Sequence, residues 1–142
     1  MNTIKLYRPV GLKELQLIQA SGWKVFPPRL DWQPIFYPVL NKAYADQIAS
    51  QWNTGDSFSG YCGVTTEFDL FESHFSRYAI QNVGGAIHNE LWVPAGELDE
   101  FNKNIVDGIR IVSVFIGAGF VMPDDAALRD ELTKFEQDER EG

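Results

Sequence analysis

Apolar and polar residues alternate over residues 4–8, the period of a short strand with one buried face. Pro9 has no amide hydrogen and is expected to end the pairing. The period then lengthens. Leu12, Leu15 and Ile18 recur at helical spacing, with Leu17 and Ala20 beside them, and Gly22 supplies the stop. Pro27, Pro28 and Pro34 make residues 23–34 a structured loop. Residues 35–39 read as a second strand. Asn41 is an expected N-cap, and Tyr44, Ile48 and Trp52 follow at i, i+4 and i+8, with Ala45 and Ala49 alongside, as an amphipathic helix.

Residues 53–60 are rich in turn formers, and 61–69 are strand-like with Val64, Thr66 and Phe68 on one face. A short helix is expected within 70–78, a turn at Gly84-Gly85, and a strand over 88–93 that ends at Pro94. Leu98, Phe101 and Ile105 lie at helical spacing, and 109–116 form the clearest strand, broken by Gly117-Ala118-Gly119. Pro123 opens a last helix with Leu128, Leu132 and Phe135 at i, i+4 and i+7, expected to fray after Gln137. The pattern predicts an α+β fold of small mixed, largely antiparallel sheets with flanking helices.

Composition narrows the class. With 142 residues, 44% hydrophobic and 13% aromatic, the chain suits one soluble globular domain that needs no disulfide or metal to fold. A net charge of −8 argues against general nucleic-acid binding, which needs cations to neutralise phosphates. The acid concentrates at the end, where residues 124–141 hold eight acidic and three basic side chains. Cys62 is the one cysteine, the N-terminus has no signal-peptide core, and the longest apolar run, residues 111–121, is too short and glycine-rich to span a bilayer. These features read as a cytoplasmic protein with no membrane partner. His74 and His88 lie at no metal-ligand spacing, so no metal site is expected, and no GxGxxG or phosphate-binding loop motif occurs.

Three short motifs stand out: Leu6-Tyr7-Arg8, Ile35-Phe36-Tyr37, and His88-Asn89-Glu90-Leu91-Trp92-Val93-Pro94. Singly, each has a plain structural reading: Arg8 as a strand-end charge, Tyr37 as a half-buried ring, Glu90 as a solvated carboxylate at a strand start. Together, and in this order, they resemble the ADP-ribosyltransferase fold. Members commonly open with a strand ending in Tyr-Arg or Tyr-His, followed by a helix of the kind seen here from Glu14-Leu15 to Ser21-Gly22. Their glutamate opens a later strand in a Glu-Leu-apolar-apolar-Pro context, as in Glu90 to Pro94. The chain also resembles short bacterial proteins described as ADP-ribosylation or crystallin-like. The resemblance covers about residues 4–116. It divides the chain into an ADP-ribosyltransferase-like domain, 1–119, and an acidic C-terminal helix and tail, 120–142.

The resemblance implies cleavage of the nicotinamide–ribose bond of NAD, with NAD as substrate and a macromolecule of unknown identity as acceptor. Glu90 would stabilise the cationic ribose. Tyr37 would flank the cationic nicotinamide. Arg8, with Tyr7 and Arg29, would hold phosphate or ribose, and His88 would orient an acceptor or act as a base. Phe36-Tyr37-Pro38 stands where one large branch carries Ser-Thr-Ser, and His88 where arginine-modifying members carry Glu or Gln, so arginine modification is not implied. Catalysis requires Arg8, Tyr37 and Glu90 to converge. The alternatives are a non-catalytic nucleotide- or protein-binding module of the same fold, and an interaction protein docking through its acidic last helix.

Overall fold

A computed structural model describes residues 2–137. In chain order the elements are β1 (Thr3–Val10), α1 (Leu12–Ala20), β2 (Ile35–Phe36), α2 (Lys42–Gln51), β3 (Cys62–Phe71), α3 (Glu72–Phe75), β4 (Ile80–Asn82), β5 (Asn89–Leu91), β6 (Val93–Pro94), α4 (Leu98–Lys103), β7 (Ile105–Ile116), α5 (Ala126–Phe135) and β8 (Glu136–Gln137). β1, β3 and β7 form an antiparallel sheet, and β8 adds in parallel beside β7. β4 pairs with β5, and β2 with β6, both antiparallel. Val39 bridges Tyr7 of β1 on one side and Glu90 of β5 on the other, so the β4–β5 pair continues the main sheet. The fold is α+β, with mixed, mostly antiparallel sheets and flanking helices.

The two faces of the main sheet are buried differently. Register sets Leu6 beside Phe68 and Ile109, Arg8 beside Thr66 and Ile111, and Val10 beside Val64 and Val114. This face carries the hydrophobic core, closed by Leu15 and Ile18 of α1, Leu98 and Phe101 of α4, and Leu128 and Leu132 of α5. Phe26, Phe36, Phe68 and Phe101 meet ring to ring within it, with centroids 5.0 to 6.0 Å apart. The opposite face carries Tyr7, Pro9, Gly63, Thr65, Glu67, Arg110 and Ser113. α2 lies over part of it. Thr65 donates to Asp46 at 2.7 Å, and Lys42 reaches Ser113 at 3.0 Å.

Several elements depart from the pattern-based expectation, each for a local reason. β1 runs through Pro9, which stays in register with Thr65. The Tyr7 amide points away from β3, toward the Val39 carbonyl at 2.9 Å, so the Pro9 nitrogen also points away from β3 and costs no ladder bond there. In α2 the buried residues are Ala45 and Ala49, while Trp52 is 62% exposed. Gly63 explains the choice: a Cβ there would collide with the Ala49 backbone, so helix and sheet approach through their smallest residues. The strand expected over 35–39 is ordered as ladder only at Ile35–Phe36, because Pro38 lacks a donor, yet Val39 regains pairing on both sides. Ile105 begins β7 instead of ending a helix, and the strand passes Asp107 and Gly108, both at positive φ, as a bulge opposite Phe68/Asp69. α5 begins at Ala126, capped by Asp125, whose carboxylate accepts from the Leu128 amide at 2.8 Å. β4 has no signal in the sequence pattern. Fraying after Gln137, and the end of the 120–142 segment, lie outside the described residues. Among the described residues no helix is long and apolar enough to cross a membrane.

Candidate functional site

Register across the sheet lines up one row on the α2 side: Gln81, Glu90, Val39, Tyr7, Glu67 and Arg110. Residues 35–39 run antiparallel to 94–90 at constant register, Ile35 opposite Pro94, Phe36 opposite Val93 and Val39 opposite Glu90. Tyr37 therefore stands opposite Trp92, on the same face as Glu90. Both rings are open to solvent, Tyr37 at 40% and Trp92 at 45% exposure, whereas Glu90 is only 8% exposed.

The Glu90 carboxylate is held by two neutral donors. Tyr44 of α2 donates its hydroxyl to one oxygen at 2.9 Å, and the Trp92 indole donates to the other at 2.7 Å. None of the ion pairs among the described residues includes Glu90. Burial, then the bond to Glu90, pushes the Tyr44 hydroxyl up to about 12, so it stays protonated and keeps donating at neutral pH. His88 lies alongside, its ring 4.6 Å from that of Tyr44. The Gly85 amide donates to its Nδ1 at 3.0 Å, so the ring proton sits on Nε2, which faces the Gln47 side-chain oxygen at 2.9 Å. His88 is thus fixed in one neutral tautomer.

Arg8 is elsewhere. Tyr7 and Arg8 are consecutive in β1 and point to opposite faces, and Glu90 shares the face of Tyr7. On the core face the Arg8 guanidinium grips Glu14 of α1 through two bonds of 2.7 and 2.9 Å and lies 4.6 Å over the Phe36 ring. Arg29 is part of this second cluster. Its Nε donates to the Ile35 carbonyl at 3.0 Å, and burial, then the charge of Arg8, lowers its pKa. The structure therefore gathers Glu90 and His88, with Tyr7 two strand positions away at about 10 Å along the row; Tyr37 shares their face but is also near enough to Arg29 to act on its charge. Glu90 and His88 are separated from Arg8. Burial, then Glu67, raises the Tyr7 pKa.

Sequence reasoning missed Tyr44, Gln47 and Trp92. Spacing puts Tyr44 on the inward stripe of its helix; the docking of α2 through alanines turns it toward β5 instead. Trp92 alternates with Glu90 along one strand, a signal present in the sequence that singles out no role. Glu14, the partner of Arg8, is legible only as an acid in the first turn of a helix. Two surface hollows, of about 340 and 470 Å³, are lined by Asn2, Glu72 and Ser73, and by Trp23, Lys24 and Asp107, among others; neither includes a residue of the Glu90 cluster. Among the described residues no group of three or more His, Cys, Asp or Glu side chains is placed to hold a metal. No protein-family model matches the sequence, and no curated protein or solved structure is significantly similar to it.

Proposed function

We propose that the Glu90 face binds NAD as a substrate and breaks its nicotinamide–ribose bond, passing ADP-ribose to water or to a macromolecular acceptor. The observation that carries this reading is a buried carboxylate with no cationic partner among the described residues, set beside two exposed rings. A carboxylate answered only by neutral donors keeps its charge available for a ligand cation. In the reaction the C–N bond breaks, its electron pair leaves with nicotinamide, and positive charge develops on the ribose. Glu90 opposes that charge, and the neutral donors Tyr44 and Trp92 hold it in place without cancelling it. Tyr37 or Trp92 offers a ring to the cationic pyridinium. Water or the acceptor then adds at the ribose carbon and gives up its proton to solvent, since both ring nitrogens of His88 are engaged by Gly85 and Gln47.

The convergence of Arg8 with Tyr37 and Glu90 that the resemblance requires is not met, because Arg8 holds Glu14 on the core face, so this reading rests on Glu90 and its neighbouring rings alone. The Arg8–Glu14 pair on the opposite face favours a second reading, an interaction protein without NAD chemistry. Calorimetric titration with NAD, followed by an assay for nicotinamide release, separates the two. Wild type is expected to bind and turn over. Glu90→Gln should bind within about threefold and lose at least about 100-fold in release rate, and Tyr37→Ala should weaken binding about fivefold or more. Unchanged release in a folded Glu90→Gln protein would sink the catalytic role. Absence of NAD binding at millimolar concentration would leave the second reading.

A further inference from the structure

Among the described residues β4 forms one end of the extended sheet and is paired on one side only. Val83 donates to the His88 carbonyl at 3.0 Å, and Ile80, Gln81 and Asn82 face Leu91, Glu90 and Asn89. Ladder alternation then makes Gln81–Glu90 the hydrogen-bonded pair and turns the backbone groups of Ile80 and Asn82 away from β5. The other side of β5 agrees: Leu91 donates to Pro38, and Asn89 accepts from Leu40, so neither uses those groups toward β4. Ile80 is 51% exposed and Val83 48%, and Ile87 and Asn82 are exposed as well. Between Arg77 and Glu90 the sequence holds no Asp, Glu, Lys or Arg. Edge strands are ordinarily protected by shortness, charge, proline or a bulge, and among the described residues this edge has only its three-residue length.

We propose that β4 pairs with β4 of a second copy of this chain, antiparallel and across a two-fold axis beside Gln81. A second copy satisfies this edge with no further element, and the uncharged run from 78 to 89 lets it do so without opposing like charges. The outward donors and acceptors sit at 80 and 82, so antiparallel pairing about residue 81 places Ile80 opposite Asn82 of the other copy, and Asn82 opposite its Ile80. Four backbone hydrogen bonds form, and one edge is its own complement. The same register sets Ala79 against Val83 and Arg77 against Gly85, so apolar side chains meet and no like charges are brought together. The two sheets become one. Gln81 is already opposite Glu90, so the two Glu90 carboxylates come to lie on the same face, three strand spacings or about 14 Å apart. A three-residue strand buries little area, and each copy carries a net −8, so the dimer is reversible and tightens as salt screens the repulsion.

The test uses the full chain in sedimentation equilibrium, with Gln81→Cys and Ile80→Pro. The two Gln81 residues form a non-hydrogen-bonded pair at the axis, within the Cα separation a disulfide spans. Gln81→Cys should therefore cross-link to a covalent dimer under mild oxidation, the buried Cys62 staying out of reach. Ile80→Pro removes only an outward amide and leaves the β5 ladder intact, and it should raise the dimer dissociation constant about tenfold or more. A wild type that stays monomeric up to millimolar concentration overturns the proposal and leaves the edge to some other extended partner. A dimer that is unaffected by Ile80→Pro, and that Gln81→Cys does not cross-link, overturns its placement.

Discussion

A carboxylate taken out of water must have its charge answered, and Glu14 and Glu90 meet that requirement in opposite ways. Glu14 has a guanidinium held in two bonds, and Arg8 in turn is 8% exposed and stacked on Phe36. This pair attaches α1 to β1. Glu90 has a phenol and an indole, which orient it but do not neutralise it. The same residue types that look equally functional in the sequence are thus divided by their neighbours. Arg8→Ala should lower stability by about 2–3 kcal/mol, because it leaves Glu14 largely buried without its partner, and, under the proposed function, should leave NAD affinity unchanged. Thermal unfolding beside calorimetry checks it; weaker NAD binding with no loss of stability would return Arg8 to the site.

At the scale of elements, side-chain volume decides how α2 meets the sheet. Its hydrophobic stripe by spacing is Tyr44, Ile48 and Trp52, yet its contact face is Ala45 and Ala49, set against Gly63. The close approach brings Asp46 within reach of Thr65 and turns Tyr44 toward Glu90. Gly63→Ala should force the helix away from the sheet, at a cost of about 1–3 kcal/mol, and should lengthen the Tyr44–Glu90 bond. Chemical denaturation reads the first effect. Spectrophotometric titration of Tyr44, against a Tyr44→Phe reference, reads the second as a fall toward the ordinary tyrosine value of 10. A variant as stable as wild type would show that the helix is not limited by that contact.

The whole molecule responds to alkali through groups on α2, on β3 and in the turn between α3 and β4. Burial is the leading cause that pushes Tyr44, Tyr78 and the Cys62 thiol up to about 12. Their ordinary values are 10, 10 and 9.0, so above about pH 9 the unfolded chain releases protons that the folded chain retains. The stability these groups contribute is fully present below that point and is lost as pH rises through about 12. Urea midpoints at several pH values should fall steadily over this window, and less steeply in Tyr44→Phe. Cooperative loss is expected because the core is shared: Leu128 and Leu132 of α5 are buried with Leu6, Phe68 and Ile109 of the sheet.

Local chemistry was readable in the sequence wherever it depends on short-range geometry. The alternation that makes β1 and β3, the Asn41 cap, which accepts from the Ala43 amide at 2.8 Å, and the apolar spacing of α1 and α5 all act within a few residues. Tyr37, His88 and Glu90 stand out only through the family resemblance, since read singly each has a plain structural role. What the tertiary structure decided was direction. Pro9 continues a strand because its nitrogen faces away from β3, Trp52 is exposed because glycine and alanine set the helix contact, and Arg8 and Glu90 part because one strand offers two faces. β4 exists only because β5 lies beside it. Each of these outcomes depends on which strand or helix becomes a neighbour, and the period of a sequence records that a residue has a buried side without recording what will cover it.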